Sequence, residues 1–344
     1  MPEPFLGLSL SDRRDALETA AALSGRPDYL LEKDVWVVQA LEILFASPFA
    51  GDLAFKGGTS LSKAYGAIRR FSEDVDLTYD IRRLAPDLGI EGRLDALTLS
   101  QANRWSKRIR ADLLPTWLQT EMAPLIQTRI DEGQLPAALR IDGTDIYIDY
   151  EAAAETPSYV QPSVKLEFGA RATGEPNEYR PVVCDTAAHL SMLAFPSATP
   201  RVMRVERTFW EKATAMHVFC LQGRYRGDGR GFARHWHDLA RLDTAGYAEL
   251  AIADRGLSHA VAGHKSKFFP EKIDGATIDY DAAITGGLKL VAEGAAFRVI
   301  EADYEAMQDA GLLLDDVETF QDLMDHCRDI ETRANAAASL SAGE

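Results

Sequence analysis

Cysteine is scarce in this 344-residue chain, and the three present, Cys184, Cys220 and Cys327, are far apart and outside any C-x-x-C spacing. An odd, scattered set excludes a disulfide framework and a cysteine zinc site, and it leaves the three as small hydrophobic residues. No run of about 18 apolar residues occurs, so no membrane-spanning helix is expected. The opening Met-Pro-Glu-Pro-Phe, followed by Asp12-Arg13-Arg14, lacks the basic-then-apolar order of a secretory signal, and a cytoplasmic location is the expectation. Positive charge is also short: 37 Lys and Arg against 53 Asp and Glu give a formal charge of −16. That balance excludes a chain whose whole surface binds polyanions, because phosphate contacts draw on clustered cations. The local exception is Arg224, Arg226, Arg230, Arg234 and Arg241, interleaved with Tyr225, Phe232 and Trp236. This stretch reads as a nucleic-acid patch or, equally, as a solvated loop and helix face.

Composition is otherwise that of an ordinary globular protein, with 46% hydrophobic and 26% charged residues. The length predicts two lobes or one domain with a helical extension, and the boundary is placed at 195/196. Helical periodicity marks 11–24 and 29–47, with Pro27 between them and Pro48 after the second. A short apolar run at Leu53-Ala54-Phe55 leads into Gly57-Gly58-Thr59-Ser60, then a helical stretch over 61–68, a polar turn over 69–73 and an alternating strand over 74–79. Further along, 99–132 reads as helix interrupted at Pro115, and 141–150 and 164–169 read as strands. Helices are predicted over 205–222, 232–243, 248–258, 297–312 and 318–334, with a frayed tail over 336–344.

Two aspartates at i and i+2 of a strand send both carboxylates to one face, where hard Mg²⁺ finds oxygen ligands. Asp74 and Asp76 meet this condition. Two metals about 3.5–4 Å apart can stabilise the attacking and leaving oxygens of an in-line phosphoryl displacement, and such sites usually want a third carboxylate. Glu167 is the candidate third metal ligand, with Lys165 on the same face as a cation, and Asp145 and Asp149 are rivals for the third position. Ahead of the pair, Gly57 and Gly58 let backbone approach a phosphate, while Thr59, Ser60 and the following helix N-terminus offer donors, with Lys63 one turn further on. Each signal is weak alone, since D-x-D arises by chance in an acidic chain and a Gly-Gly turn is common punctuation. Their order, strand, Gly-Gly-Thr-Ser, helix, D-x-D strand, matches the opening of an α+β, polymerase-beta-type nucleotidyltransferase mixed sheet with flanking helices and a C-terminal helical lobe.

In the helix over 205–222, Val205, Phe209, Lys212, Met216 and Cys220 share one narrow stripe. A lysine inside an apolar stripe needs an anion, such as a triphosphate or a carboxylate, unless it snorkels past the stripe's edge. Asp238, beside His235 and His237, can orient Lys212, bind a base or sugar, or act as a general base, and otherwise is a plain surface carboxylate. His235-x-His237 diverges on a helix and does not suit zinc. His189 and His217 read as core histidines.

The run from Phe55 to Lys63, followed by Arg70-Phe71-Ser72-Glu73-Asp74-Val75-Asp76-Leu77, resembles the signature of the AbiEii/AbiGii nucleotidyltransferase toxins. Similarity extends to Leu31-Glu32-Lys33-Asp34-Val35-Trp36, to 207–214, to 234–239 and to Asp303-Tyr304-Glu305-Ala306-Met307, which covers nearly the whole chain. The resemblance implies an Mg²⁺-dependent enzyme that uses an NTP and is held in check by a cognate antitoxin in a toxin-antitoxin or abortive-infection system. Some relatives add nucleotides to tRNA ends. It further implies that Gly57, Gly58, Ser60 and Lys63 hold phosphates, that Asp74 and Asp76 hold the metal, and that Lys212 and Asp238 form a later catalytic pair. Ser72 is implied as a self-modification site. The alternatives are nucleotidylation of a protein or small molecule, and a catalytically idle module that binds nucleotides or partners.

Overall fold

The computed structural model describes residues 2–70, 72, 74–88, 93–156, 161–223, 231–314 and 318–341. They fall into two compact units. The first holds residues 1–64, 72–89 and 107–203, and the second holds 65–71, 90–106 and 204–344. The expected single cut at 195/196 is thus replaced by one near 203/204, with two earlier stretches assigned to the helical unit.

The first unit is built on a seven-stranded mixed sheet. Its strands are β1 (Leu53–Lys56), β2 (Asp74–Tyr79), β3 (Ala137–Asp142), β4 (Asp145–Tyr150), β5 (Ser163–Gly169), β6 (Asn177–Tyr179) and β7 (Arg201–Met203). Their order is β3-β4-β5-β2-β1-β7-β6, with β2 parallel to β5 and β1 parallel to β7, and all other neighbours antiparallel. Strict alternation gives the sheet two unlike faces. Val75, Leu77, Tyr79, Val164, Leu166, Phe168, Ile146, Ile148 and Tyr150 are buried on one face. The other face carries Asp74, Asp76, Lys165, Glu167, Asp145, Tyr147 and Arg140.

Helix α1 (Leu10–Ser24) is capped by Ser9, whose side chain accepts from the Asp12 amide, and it ends at Gly25 in the left-handed region. Helix α2 (Asp28–Phe45) is buried nearly all round, and its Trp36 stacks on Tyr150 at 5.1 Å. Burial forces its polar groups to find partners. Glu32, for instance, accepts from the Ala153 amide at 2.8 Å and the Ala154 amide at 3.1 Å. Trp117 stacks on Tyr79 at 4.1 Å and meets Phe168 edge-on, so a second helical element covers the apolar face.

Three local patterns differ from expectation. The stretch 99–132 stays helical through Pro115, with wider π turns at Ile109–Leu113 and Leu118–Met122 on either side of the Leu114–Trp117 turn. Such turns accommodate the missing N–H and the ring that would clash one turn back. The run 141–150 is not one strand: Ile141 and Asp142 end β3, the chain turns at Gly143 with φ +60°, and Asp145–Tyr150 forms β4. The tail remains helical to Ser341, in the helix Phe320–Ser341.

The second unit is mostly helical. It contains α4 (Val205–Gln222) and α5 (Arg234–Thr244), then Tyr247–Ala253, Arg255–Phe268, Gly294–Asp309 and Phe320–Ser341. Buried indoles are satisfied within it: Trp210 Nε1 donates to the Ala251 carbonyl at 2.8 Å and Trp236 Nε1 to the Leu290 carbonyl at 2.6 Å. Asp303 accepts from the amides of Gly231 (2.6 Å) and Ala233 (2.7 Å), which ties the entry of α5 to the helix Gly294–Asp309. The Leu314 amide donates to the Arg69 carbonyl at 2.9 Å, which joins the 65–71 stretch to this unit. Among the described residues no helix is long and apolar enough to cross a membrane. Of the basic stretch singled out above, Arg224, Tyr225, Arg226 and Arg230 lie outside the described residues.

Candidate active site

Strand β1 ends at Lys56, and helix α3 (Gly57–Lys63) starts at once, four residues earlier than the helical pattern predicts. Gly57 makes this turn at φ +78°. A Cβ at Gly57 would overlap the Asp76 carboxylate, lying 2.7 Å from its Cγ and 2.9 Å from its Cβ. Glycine is therefore required twice, by the backbone angle and by the carboxylate that occupies the vacated space. Register explains the proximity: Lys56 lies opposite Asp76 across the β1–β2 ladder. The Lys56 ammonium is 3.9 Å from Asp76 Oδ1, a loose pair at a quarter-exposed site.

Asp74 and Asp76 lie on one face of β2, both half-buried, with Val75 and Leu77 buried behind them. On the parallel neighbour, Asp74 aligns with Lys165 and Asp76 with Glu167, while Asp145 of β4 aligns with Glu167. Lys165 bridges Glu167 at 2.9 Å and Asp145 at 3.0 Å. Burial alone would lower the Lys165 ammonium, but the two carboxylates raise it above its ordinary value, which secures its charge. Asp149, the other rival ligand, bonds Arg140 at 3.2 Å and Ser163 at 2.5 Å. Among the described residues no three Asp, Glu, His or Cys side chains converge closely enough to hold a metal ion by themselves.

The residues ahead of the pair are engaged in holding the chain. The buried Thr59 hydroxyl lies within hydrogen-bond reach of the Asp74 carbonyl and, at 2.8 Å, of the Ser72 hydroxyl, so it fixes the entry to β2. Ser60, fully buried, donates to the Gly57 carbonyl at 2.9 Å. Lys63 ends α3 between two carboxylates, Asp34 at 2.6 Å and Asp185 at 2.7 Å. Asp34 also accepts from the Asp185 amide at 2.7 Å, and Arg26 pairs with Asp185. Burial pulls the Lys63 ammonium down, but the two carboxylates together raise it above normal. Buried Asp34 is pushed up by desolvation. Lys63, expected to reach a phosphate, is instead the anchor that fastens α3 to α2 and to the turn at Asp185. Neither Asp34 nor Asp185 carries a role in the sequence reading, although Asp34 falls within the 31–36 stretch of family similarity and inside the apolar run of α2.

In the second unit, Lys212 lies in the buried stripe of α4, only 7% exposed, and contacts Asp238 of α5 at 2.8 Å. Arg70 grips the same carboxylate with Nε at 2.6 Å and Nη2 at 2.8 Å, a bidentate pair. Asp238 is fully buried, which overturns its reading as a surface carboxylate. Burial alone would raise its carboxyl, yet Arg70 and Lys212 hold it far below the ordinary carboxylate range. Lys212 moves the other way: burial lowers its ammonium, Asp238 opposes that and Arg70 reinforces it. Two cations face this one anion, which keeps Asp238 ionised. Arg70 is the residue to which the sequence reading assigned no role. A lone lysine in an apolar stripe implies an anionic partner but does not point to Arg70 as that anion's second cation.

Among the histidines, His235 is half-buried, and desolvation and then Lys212 push it below its usual value. His217 is buried and accepts from the Lys289 amide at 3.1 Å. His189 is exposed rather than a core residue. Cys184 and Cys327 are buried and all three cysteines are free thiols, raised by burial.

A family model for the nucleotidyl transferase AbiEii toxin of type IV toxin-antitoxin systems matches residues 39–326, most of the chain. The chain belongs to this family. AbiEii membership makes it a nucleotidyltransferase of the toxin-antitoxin class and implies an NTP substrate and an antitoxin partner. No curated protein matches it. Among solved structures it is similar to MenT4, a nucleotidyltransferase toxin of Mycobacterium tuberculosis H37Rv, at 17% identity and TM-score 0.43 over 97% of this chain and all of that one. It is also similar to JHP933 from Helicobacter pylori, at 14% identity and TM-score 0.42 over 92% of this chain and 96% of that one.

An AbiEii enzyme generally uses a divalent metal, and the donor set around β2 fits one. Mg²⁺ is characteristically held by one or two carboxylates, water and substrate phosphates rather than by a closed protein cage. Two same-face carboxylates, one seated against a backbone without a Cβ, are donors of the kind such a partial shell would need.

Proposed function

We propose that this AbiEii protein is an Mg²⁺-dependent toxin that transfers a nucleoside monophosphate from an NTP to the 3′ end of a tRNA. Pyrophosphate leaves, growth is arrested, and a cognate antitoxin restrains the enzyme. The observation that carries this reading is the seating of Asp76 in the space left by the missing Cβ of Gly57. It would bring a phosphate-approaching backbone and a metal-binding carboxylate together across the β1–β2 ladder.

In this reading Asp74 and Asp76 hold the metal, with Glu167 the nearest register partner to complete the shell. The bound ion would neutralise charge on the α-phosphate and on the departing pyrophosphate. The protein's own contribution is positioning. Gly57 and Gly58 admit phosphate oxygens, Thr59 and Ser60 keep the turn and the entry to β2 in place, and Lys63 locks α3 through Asp34 and Asp185. Lys165 supplies a secured positive charge beside both metal-binding positions. Lys212 and Asp238 are kept as the later catalytic pair that the family resemblance implies, and within the second unit Asp238, gripped also by Arg70, would fix the Lys212 ammonium. A 3′-hydroxyl then attacks the α-phosphorus in line with the leaving pyrophosphate, with most of the rate coming from orientation and fixed charge. Ser72, within 2.8 Å of the Thr59 hydroxyl, is the candidate for self-modification.

One observation favours a second reading, in which a protein is nucleotidylated. The formal charge of −16 suits an RNA partner less well than a protein or small-molecule acceptor. Incubation of the purified protein and Mg²⁺ with each α-labelled NTP and cell lysate separates the two. Label on RNA 3′ ends supports the tRNA reading, and label on protein with none on RNA overturns it in favour of the second.

A further inference from the structure

The polar face of the sheet continues past the carboxylate pair to a feature that nucleotidyl transfer at Asp74 and Asp76 does not use. One cross-strand row runs Asp74, Lys165, Tyr147, Arg140, from β2 through β5 and β4 to the edge strand β3. At about 4.8 Å per strand, Arg140 stands roughly 14 Å along the sheet from Asp74. Its guanidinium carbon lies 3.9 Å over the centre of the Tyr147 ring. Asp149 holds its edge, with Nε at 3.2 Å and Nη2 at 3.4 Å. Asp149 is itself fixed by Ser163. A long side chain on an exposed edge strand is thus held from beneath and from one edge, while its side chain remains 53% exposed.

A guanidinium clamped in this way is a flat, charged plane with one face toward solvent, the arrangement on which unpaired bases stack. Ordinary surface arginines lose rotamer entropy when a ligand orders them, whereas this one is ordered beforehand. We propose that Arg140, layered on Tyr147, is a nucleobase-stacking platform. It would hold a base of the nucleotide ligand while the phosphates or the 3′-hydroxyl lie at Asp74 and Asp76. The inference rests on the nucleotidyltransferase reading, and it adds a subsite for either the base of the NTP or an unpaired base of the acceptor end.

Fluorescence of 2-aminopurine, quenched by stacking, tests it with two probes. One is 2-aminopurine riboside triphosphate and the other is a single-stranded RNA oligonucleotide carrying 2-aminopurine at its 3′ end, each titrated with Mg²⁺ present. Wild type should quench one of them, and the quenched probe identifies the source of the base. Arg140→Lys keeps the charge but not the plane, and Tyr147→Leu removes the ring beneath. Both should lose most of the quenching and bind that probe on the order of tenfold more weakly. Tyr147→Phe should behave as wild type. Unchanged melting temperatures would exclude misfolding as the cause. Absence of quenching by wild type, or equal quenching by Arg140→Lys, overturns the platform. Nucleotide incorporation measured on the same samples separates the two readings. Incorporation without variant-sensitive quenching defeats the platform and leaves the transferase. Variant-sensitive quenching without incorporation defeats the transferase and leaves a base-binding site.

Discussion

Gly57→Ala separates chemistry from folding at one atom. The new Cβ meets Asp76 Cγ at 2.7 Å, whereas carbon atoms rest at about 3.5–4.0 Å, so the carboxylate must retreat by about 1 Å. A displacement of that size at a reacting centre costs roughly 100-fold in rate, about 2.7 kcal/mol of transition-state stabilisation. The backbone adds its own penalty of about 1–2 kcal/mol for a residue with a side chain at φ +78°. That should lower the melting temperature by about 2–8 °C. Gly25→Ala is the control: its φ is +72° and nothing lies within 4 Å of the added Cβ, so the strain is similar and the displaced carboxylate is absent. The assay is Mg²⁺-dependent incorporation of labelled NTP, read beside thermal unfolding by circular dichroism. The expected pattern is a comparable loss of stability in both variants and a rate loss in Gly57→Ala alone. Equal rates in the two variants would refute the reasoning, because the carboxylate's seat would then not matter to the reaction.

Three further outcomes follow from the same geometry. Lys63→Met leaves Asp34 and Asp185 facing each other with no ammonium between them and should destabilise by about 3–5 kcal/mol in urea unfolding. Adding Asp34→Asn should recover part of that loss, and no recovery would show that the pair is not the anchor described. Asp238→Asn leaves Arg70 and Lys212 buried around a neutral amide and should cost a similar amount, so an unchanged urea midpoint would contradict the charge assignment. His217 is pushed down to about 4 from its usual 6.5 by burial and then by Lys289. Between those values the unfolded chain binds the extra proton, so stability is full above pH 6.5 and falls as pH drops toward 4, by up to about 3 kcal/mol. His217→Gln should flatten that slope in pH-dependent urea melts, and an unaltered slope would remove His217 as its source.

The elements that position Asp74 and Asp76 were legible because each is local. Alternation over 74–79 sets both carboxylates on one face, and Gly57-Gly58 marks the turn between strand and helix. The boundaries were less so. Low helix propensity at glycine argues against a helix starting at Gly57, yet packing against β1 and β2 starts it there. Asp142-Gly143 signals a hairpin that the apolar alternation of 141–150 concealed. What sequence could not supply were the long-range pairings. Arg70 and Asp238 are 168 residues apart, and Lys63 and Asp185 are 122 apart. The apolar stripe around Lys212 states that an anion must come, and the electrostatics of burial require one, but its identity depends on which distant segment the fold delivers. The same physics settled Lys63. Its position one turn into α3 suited a phosphate, and two carboxylates from elsewhere took it instead.

The central claim is that Asp74 and Asp76 together support metal-dependent nucleotidyl transfer. It is tested most directly with purified wild type and Asp76→Asn, incubated with an α-labelled NTP and RNA while Mg²⁺ is titrated and then removed with a chelator. Incorporation that rises with Mg²⁺, stops on chelation and is absent from a normally melting Asp76→Asn is the predicted result. Incorporation that persists undiminished in Asp76→Asn would contradict the account.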